Sequence, residues 1–363
     1  IQVGLVVPRR HAAMHAPHAL ARLIGLDWGT SSLRAYLFDA GGRVLAQRRT
    51  SLGVLSVAPG GFLDAFHAIG RGWLDDRALP VIASGMIGSR QGWREAPYAL
   101  APAGFDALSR QLLRIDATAG RPFAIVPGVS IVRPDGTHDV MRGEETQVFG
   151  ALDDDRAGTR ACTADLILPG THSKWVQVRD GQIVAFRTYL TGELYAVLSA
   201  HSILGRLFVH SADTAEPAPS RDTVSDRAGS AHRATAFRDG VARAAADPAG
   251  LSALLFSEQA FGAYNGAALP DYLSGLLIGA EIAHARLGLV RAPGAGDPMA
   301  VRVIGADPLA ARYRTALDQL GIITRDVGAT PAASGLFRIA RAAGLVHDGV
   351  ACPCARRGSD DPH

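Results

Sequence analysis

The sequence predicts an α/β protein of two lobes built from one duplicated unit, and three observations carry that reading. A glycine hairpin occurs twice, as Leu26-Asp27-Trp28-Gly29-Thr30-Ser31-Ser32 and as Leu168-Pro169-Gly170-Thr171-His172-Ser173-Lys174. Gly29 matches Gly170, Thr30 matches Thr171, Ser32 matches Ser173 and Asp39 matches Asp180; after a two-residue gap, Val44-Leu45-Ala46 matches Ile183-Val184-Ala185. Short apolar runs alternate with stretches whose apolar residues recur at helical spacing, the pattern of a sheet covered by helices. The 363 residues, 48% of them hydrophobic, suffice for two sizeable cores. Residues 1–21 read as an unstructured extension, 22–152 as the first lobe, 153–350 as the second and 351–363 as a disordered tail. The polar stretch Asp153-Asp154-Asp155-Arg156-Ala157-Gly158 is the join.

In the first lobe, residues 23–27 form a short apolar run that ends at the glycine turn, which predicts a buried strand. Residues 35–38 and 44–47 flank a hairpin turn at Gly41-Gly42. Phe62, Ala65, Phe66, Ile69 and Trp73 lie at helical spacing and predict a helix within 61–73. Residues 80–83 read as a strand of a buried parallel sheet, followed by the glycine-rich segment 84–89. A helix is predicted over 105–113, a strand over 123–126 closed by Pro127-Gly128, and a helix over 144–152. The second lobe repeats the plan. Residues 166–168 are a strand, 175–178 and 183–186 a hairpin, and 194–207 a helix. Residues 213–233, poor in large apolar side chains, predict an exposed loop. Residues 271–287 carry apolar residues on more than one face and predict a buried helix. A strand over 301–304 ends at Gly305; a helix over 308–320, a last strand over 322–327 and a last helix over 332–343 follow.

Composition excludes several function classes. The net charge is +3 and the pI 8.9, yet no basic cluster interleaves with aromatic residues, so nucleic-acid binding is not expected. No apolar stretch reaches the ~18 to 20 residues of a membrane span. The N-terminus runs apolar then basic, the reverse of a secretory signal. Cys162, Cys352 and Cys354 are too few for a disulfide framework and point to a reducing compartment, the cytoplasm. Cys352-Pro353-Cys354 does not have the spacing of a zinc knuckle, and the twelve histidines form no metal spacing.

The chemistry concentrates in five places. At Asp27-Trp28-Gly29-Thr30, a glycine lets backbone N–H groups approach an anion closely. Asp27 at the strand end can hold Mg²⁺ through water, and the hydroxyls of Thr30 and Ser31 can donate to phosphate oxygens. Gly170, Thr171, His172 and Ser173 repeat the turn, and Lys174 follows as the only lysine of the chain. A lysine kept where every other basic position is arginine suggests a compact charge approaching a phosphate end-on. In Arg142-Gly143-Glu144-Glu145, either carboxylate can accept a hydroxyl proton, Glu144 being the first choice, although acidic residues in a first helical turn are also favoured by the dipole. The loop Ser84-Gly85-Met86-Ile87-Gly88-Ser89 with Gly92-Trp93 follows a buried strand, where ligands of α/β sheets bind. It suits a small polyhydroxylated substrate. Gly305 and Asp307 could seat adenosine or its ribose.

These blocks resemble the 2-dehydro-3-deoxygalactonokinases, small sugar-acid kinases of the actin/hexokinase superfamily. The matching stretches are Asp27-Trp28-Gly29-Thr30 with Leu33-Arg34-Ala35, Gly85-Met86-Ile87-Gly88-Ser89 with Gly92-Trp93 and Ala96-Pro97-Tyr98, Val140-Met141-Arg142-Gly143-Glu144-Glu145-Thr146-Gln147, Pro169-Gly170-Thr171-His172-Ser173-Lys174-Trp175-Val176, Thr191-Gly192-Glu193-Leu194, and Tyr272-Leu273-Ser274-Gly275-Leu276-Leu277-Ile278-Gly279-Ala280-Glu281. The resemblance spans residues 23 to 346. It implies an actin/hexokinase-like (ribonuclease H-like) duplicated fold with a central cleft, and ATP- and Mg²⁺-dependent phosphorylation of 2-dehydro-3-deoxy-D-galactonate at its terminal hydroxyl in galactonate breakdown. Carried over by position, Asp27 would hold the metal. The Gly29 and Gly170 turns would hold phosphates, Glu144 or Glu145 would be the base with Lys174 assisting, and Arg34, Met86, Gly88, Ser89, Trp93 and Arg142 would line the substrate. A homodimer is compatible with the pattern. Glu258-Gln259 stands where relatives tend to carry an arginine. The rival readings are a kinase for an epimer such as 2-dehydro-3-deoxygluconate, and a nucleotide-driven switch ATPase on the same fold.

Overall fold

A computed structural model describes residues 20–74, 79–116, 120–133, 135–152, 163–209, 223–257, 262, 264, 266–288, 300–305, 307–328 and 330–346. The expected extension before residue 20, the tail over 351–363, the join after Asp153, the three cysteines and Glu258-Gln259 lie outside these residues. The chain divides into two compact units, Ile1–Asp153 with Ala329–His363, and Asp154–Gly328.

In the first unit, β1 (Leu23–Trp28), β2 (Leu33–Phe38) and β3 (Val44–Thr50) form an antiparallel meander. α1 (Phe62–Gly70) follows and buries Phe62, Ala65, Phe66 and Ile69, the residues whose spacing predicted it. β4 (Val81–Gly85) then pairs with β1 in parallel. Its five residues are all buried, as expected of a strand covered on both faces. β5 (Tyr98–Leu100), α2 (Phe105–Arg110), β6 (Leu113–Ile115), β7 (Phe123–Ile125), β8 (Gly128–Val132), β9 (His138–Met141) and α3 (Glu144–Ala151) complete this stretch. The six-stranded sheet has the order β3-β2-β1-β4-β7-β6.

Two features of this unit were not legible beforehand. The helix predicted over 105–113 stops at Arg110, and Leu113–Ile115 turns into a strand antiparallel to β7. A separate three-stranded sheet, β5-β8-β9, occupies the region around Pro127-Gly128, where the sequence predicts only the end of a strand. Its strands are three to five residues long. Leu100, Val132 and Val140 are exposed on it, so no apolar alternation announced it.

In the second unit, β10 (Ala164–Leu168), β11 (Ser173–Arg179) and β12 (Gln182–Tyr189) repeat the meander. The single helix expected over 194–207 is two helices, α4 (Thr191–His201) and α5 (Ile203–Val209). They break at Ser202, whose hydroxyl donates to the Leu198 carbonyl at 2.5 Å and accepts from the Leu204 N–H at 3.1 Å. α6 (Thr223–Ala246) replaces the later part of the loop expected over 213–233. Packing overrides its polar composition: a Cβ on Gly240 would stand 2.4 Å from the Tyr272 carbonyl oxygen, and one on Gly275 would stand 2.1 Å from that of Phe237. Such an approach couples α6 closely to α8 (Leu269–Gly288), the buried helix, after a short α7 (Leu251–Leu254). β13 (Val301–Val303) pairs in parallel with β10, α9 (Asp307–Gln319) follows, and β14 (Thr324–Arg325) is only two residues of the strand predicted over 322–327. The sheet order is β12-β11-β10-β13-β14. This matches β3-β2-β1-β4-β7, and both sheets are the ribonuclease H-like unit of the actin/hexokinase-like α/β fold.

The last helix, α10 (Pro331–Ala342), belongs to the first unit, although the sequence-based division kept residues up to 350 in the second lobe. α10 crosses α3 at two glycines. A Cβ on Gly150 would lie 1.8 Å from the Pro331 carbonyl oxygen, and one on Gly335 would lie 1.8 Å from that of Thr146. Alanine favours a helix over glycine by about 1 kcal/mol. Here the obstacle is backbone, which cannot rotate away, so Gly335→Ala is expected to destabilise the protein by about 1 to 3 kcal/mol. A thermal melt reads this, and an unchanged or raised midpoint would contradict the crossing.

Candidate active site

The first glycine turn is closed by the Gly29 N–H donating to the Ser32 carbonyl at 2.9 Å. The segment after β3 braces it: the Val54 N–H donates to the Gly29 carbonyl and the Leu55 N–H to that of Thr30. Thr30 and Ser31 are exposed at its tip. Asp27, two residues before the turn, lies opposite Arg34 across the β1–β2 pair and accepts from its Nη1 at 3.1 Å. Burial pushes the Asp27 carboxyl above the ordinary carboxylate range; Arg34 opposes this, and the charge of Glu144 adds to it.

That last effect places Glu144 near Asp27, and backbone geometry explains how. Trp28 is the parallel partner of Gly85. Gly85 has φ +94°, and a Cβ there would stand 2.7 Å from the Trp28 carbonyl oxygen. Gly143 has φ +103°, and its own Cβ would stand 3.0 Å from the Gly85 Cα. Only glycine takes such conformations without strain, so the three backbones nest at the carboxyl ends of β1 and β4. α3 begins immediately afterwards at Glu144. The two glutamates then diverge. Glu144 is half-buried and accepts from the Arg142 N–H at 3.0 Å. Glu145 is fully buried, accepting from the Gly143 N–H at 2.7 Å and the Thr146 hydroxyl at 3.1 Å. Burial, with Glu144 next to it, pushes the Glu145 carboxyl up to about 8.

The candidate substrate residues do not gather into one surface. Trp93 packs into the core, its ring stacked on Phe62 and edge-on to Phe123. Met86 leans on the same core, and the Ser89 hydroxyl donates to the Met86 carbonyl at 2.7 Å. Arg142 is buried beneath this loop. Its Nη2 donates to the Ala96 carbonyl at 2.8 Å, its guanidinium stacks on the Tyr98 ring at 4.2 Å, and a Cβ on Gly88 would meet its Nη1 at 3.0 Å.

In the second unit the turn Gly170–His172 leaves Thr171 and His172 exposed. The start of α4 braces it. The Glu193 N–H donates to the Thr171 carbonyl at 2.9 Å, and the Glu193 carboxylate meets His172 Nε2 at 2.5 Å. A Cβ on Gly192 would stand 2.3 Å from the Gly170 carbonyl oxygen. Lys174 is buried beneath the turn, Nζ donating to the His172 carbonyl at 3.2 Å, rather than projecting beyond it. Gly305 lies beside Pro169, as Gly85 lies beside Trp28. Asp307 opens α9 two residues later.

Ser173 departs furthest from expectation. Its hydroxyl is fully buried and donates to Glu281 Oε1 at 2.7 Å, so it does not face the turn surface. Glu281 also accepts from Trp175 Nε1 at 2.7 Å, from the Tyr313 hydroxyl at 2.7 Å and from the Thr191 hydroxyl. Burial pushes its carboxyl up, against the four donors that hold it down. Neither Glu193 nor Glu281 was singled out from the sequence. Both sit in stretches that carried the family resemblance, which was the available signal.

No group of three or more histidine, cysteine, aspartate or glutamate side chains with metal-site geometry occurs among the described residues. No helix among them is long and apolar enough to cross a membrane.

Glu145 gives a pH test. Its carboxyl titrates near 8 in the folded protein against an ordinary 4.5. The folded chain therefore holds a proton that the unfolded chain has released. The stabilisation is complete below pH 4.5 and disappears as pH rises to about 8, at up to about 1.4 kcal/mol per pH unit. Glu145→Gln keeps an acceptor for the Gly143 N–H and does not titrate, so its thermal midpoint should vary less with pH across this window. An identical slope in both proteins would contradict the assignment.

Comparisons with known proteins identify the family. The family model of 2-keto-3-deoxy-galactonokinase matches residues 27–339. A Rhizobium meliloti (strain 1021) protein, DgoK1, named for 2-dehydro-3-deoxygalactonokinase activity, is 39% identical over 326 residues, covering 87% of this chain and 96% of the relative. The Escherichia coli (strain K12) 2-dehydro-3-deoxygalactonokinase is 33% identical over 325 residues, covering 89% and 98%. The crystal structure of a Sinorhizobium meliloti protein described as a 2-dehydro-3-deoxygalactonokinase superposes with a TM-score of 0.71 at 35% identity, covering 88% of this chain and 98% of that one. With the motif blocks, the duplicated sheet and these matches in agreement, the chain belongs to the 2-keto-3-deoxy-galactonokinase family.

Proposed function

We propose that the protein transfers the γ-phosphoryl group of ATP to the terminal hydroxyl of 2-dehydro-3-deoxy-D-galactonate, giving the 6-phosphate and ADP. The observation that carries this reading is the placement of Glu144 near Asp27 at the end of β1, beside a glycine turn with exposed hydroxyls, in a chain of this family. Glu144 accepts the proton of the acceptor hydroxyl; the hydroxyl oxygen bonds to the γ-phosphorus as the bond from that phosphorus to the β–γ bridging oxygen breaks, and ADP departs with the bridging oxygen. Glu144 is preferred to Glu145 because Glu145 is fully buried, bonded to its own loop and protonated at neutral pH. In the first unit the Thr30 and Ser31 hydroxyls and the N–H groups of the turn offer donors to phosphate oxygens, and in the second unit the Gly170 turn offers donors of the same kind. Arg34 balances Asp27, Lys174 holds the second turn from beneath, and Gly305 with Asp307 fits the nucleoside end. Catalysis of this kind is mostly positioning and charge neutralisation.

The donor set fits Mg²⁺. Asp27, whose carboxyl feels the charge of Glu144, with no group of three such ligands among the described residues, matches an ion held by one or two carboxylates, water and phosphate. Asp27 would hold it, and the ion would supply neutralisation of charge on the phosphates. The sparse cysteines suit a cytoplasmic setting.

The test is ATP consumption with the galacto acid, its gluco epimer, or no acceptor. Consumption with the galacto acid alone is expected. Equal use of both epimers would replace the stated specificity, and turnover without acceptor would favour a switch ATPase. Asp27→Asn and Glu144→Gln should each lower kcat by roughly 10² to 10⁴-fold with thermal midpoints near that of the native protein. Glu145→Gln should lower kcat far less. If Glu144→Gln kept native turnover, the base would have to be sought elsewhere.

A further inference from the structure

We propose that Glu281 is a positioning residue for the second phosphate turn and acts on it through Thr191; this rests on reading Gly170–His172 as a nucleotide-phosphate site. A carboxylate 3% exposed in the middle of a domain is costly unless its lone pairs are filled. All four donors to Glu281 are side chains, and their places in the chain are informative. Ser173 and Trp175 belong to β11 at the exit of the turn. Thr191 is the first residue of α4, the helix whose start clamps the turn from the other side. Tyr313 belongs to α9, outside both segments, and its hydroxyl also lies within hydrogen-bonding reach of Ser173 and Thr191. Glu281 therefore ties the strand leaving the turn to the helix end that caps it.

The clamp itself is specific. The Glu193 N–H holds the Thr171 carbonyl, Glu193 holds His172, and Gly192 lies against Gly170. Thr191 is the adjoining residue, and its hydroxyl links this segment to Glu281 in the interior. In the first unit the corresponding turn is braced by backbone bonds from Val54 and Leu55. There Arg34, at the position matching Trp175, points to Asp27. The duplication has thus kept the two braced turns and replaced the Asp27–Arg34 pair with an interior carboxylate that holds the clamp.

Two variants each remove one hydrogen bond to the same Oε2 atom. Thr191→Val cuts the link to the clamp; Tyr313→Phe cuts the link to α9. Both should lower the thermal midpoint, which is the purely structural effect. The dissociation constant of ADP with Mg²⁺, measured by calorimetry on the full chain without acceptor, separates them. Thr191→Val should weaken ADP about tenfold, the equivalent of one hydrogen bond, while Tyr313→Phe stays within about twofold of the native protein. Thr191→Ser, which restores the hydroxyl, should recover affinity. Native affinity in Thr191→Val, or equal weakening in Tyr313→Phe, would overturn the proposal. A native protein that binds ADP but does not phosphorylate the sugar acid would overturn the substrate reading and leave this test standing. One that does not bind ADP would overturn both.

Discussion

The carboxyl ends of β1 and β4 leave no room for a side chain at Gly85, and the candidate site of the first unit is built on that exclusion. Gly85 rests on the Trp28 carbonyl, and Gly143 rests on Gly85. Three backbone segments distant in sequence converge within van der Waals distance, and the residues that follow them are delivered to one place: the Thr30 and Ser31 hydroxyls after Trp28, and Glu144 after Gly143. A single Cβ at Gly85 or Gly143 would part these segments. In the second unit Gly305 lies beside Pro169 at ordinary contact distance, 3.4 Å from where a Cβ would stand, so the tight nesting of backbones belongs to the first unit.

Electrostatics divides the roles of two adjacent glutamates. Consecutive residues at the start of a helix point in different directions, about 100° apart. Glu144 remains half-buried near Asp27, while Glu145 is enclosed, bonded to Gly143 and Thr146, and raised to about 8. Glu145 then holds a proton at neutral pH, while Glu144 stands at the partly exposed start of α3. Composition and spacing treat the pair as equivalent; burial separates them. Asp27 and Glu281 differ in their partners: Asp27 is half-buried with an arginine beside it, whereas Glu281 is interior and its oxygens are met by four uncharged hydrogen-bond donors.

Local pattern was enough to reveal the duplicated meander, the glycine turns, most helices that bury a regular apolar stripe such as α1, and the placement of Asp27 and Glu144 close to a turn. These are local properties: a period of two or of 3.6 and a turn residue are written in a few consecutive positions. Family-like blocks extended that reading to the reaction. Tertiary structure alone decided the rest. It carried α10 back to the first unit, where Gly150 and Gly335 allow it to cross α3. It made a helix of the polar stretch from Thr223 because α8 presents a glycine face to it. It also turned Ser173 and Trp93 inward and set Lys174 beneath its turn. In each case the deciding neighbour lies far away along the chain, and a pattern read over consecutive residues carries no information about which distant backbone or carboxylate will stand there.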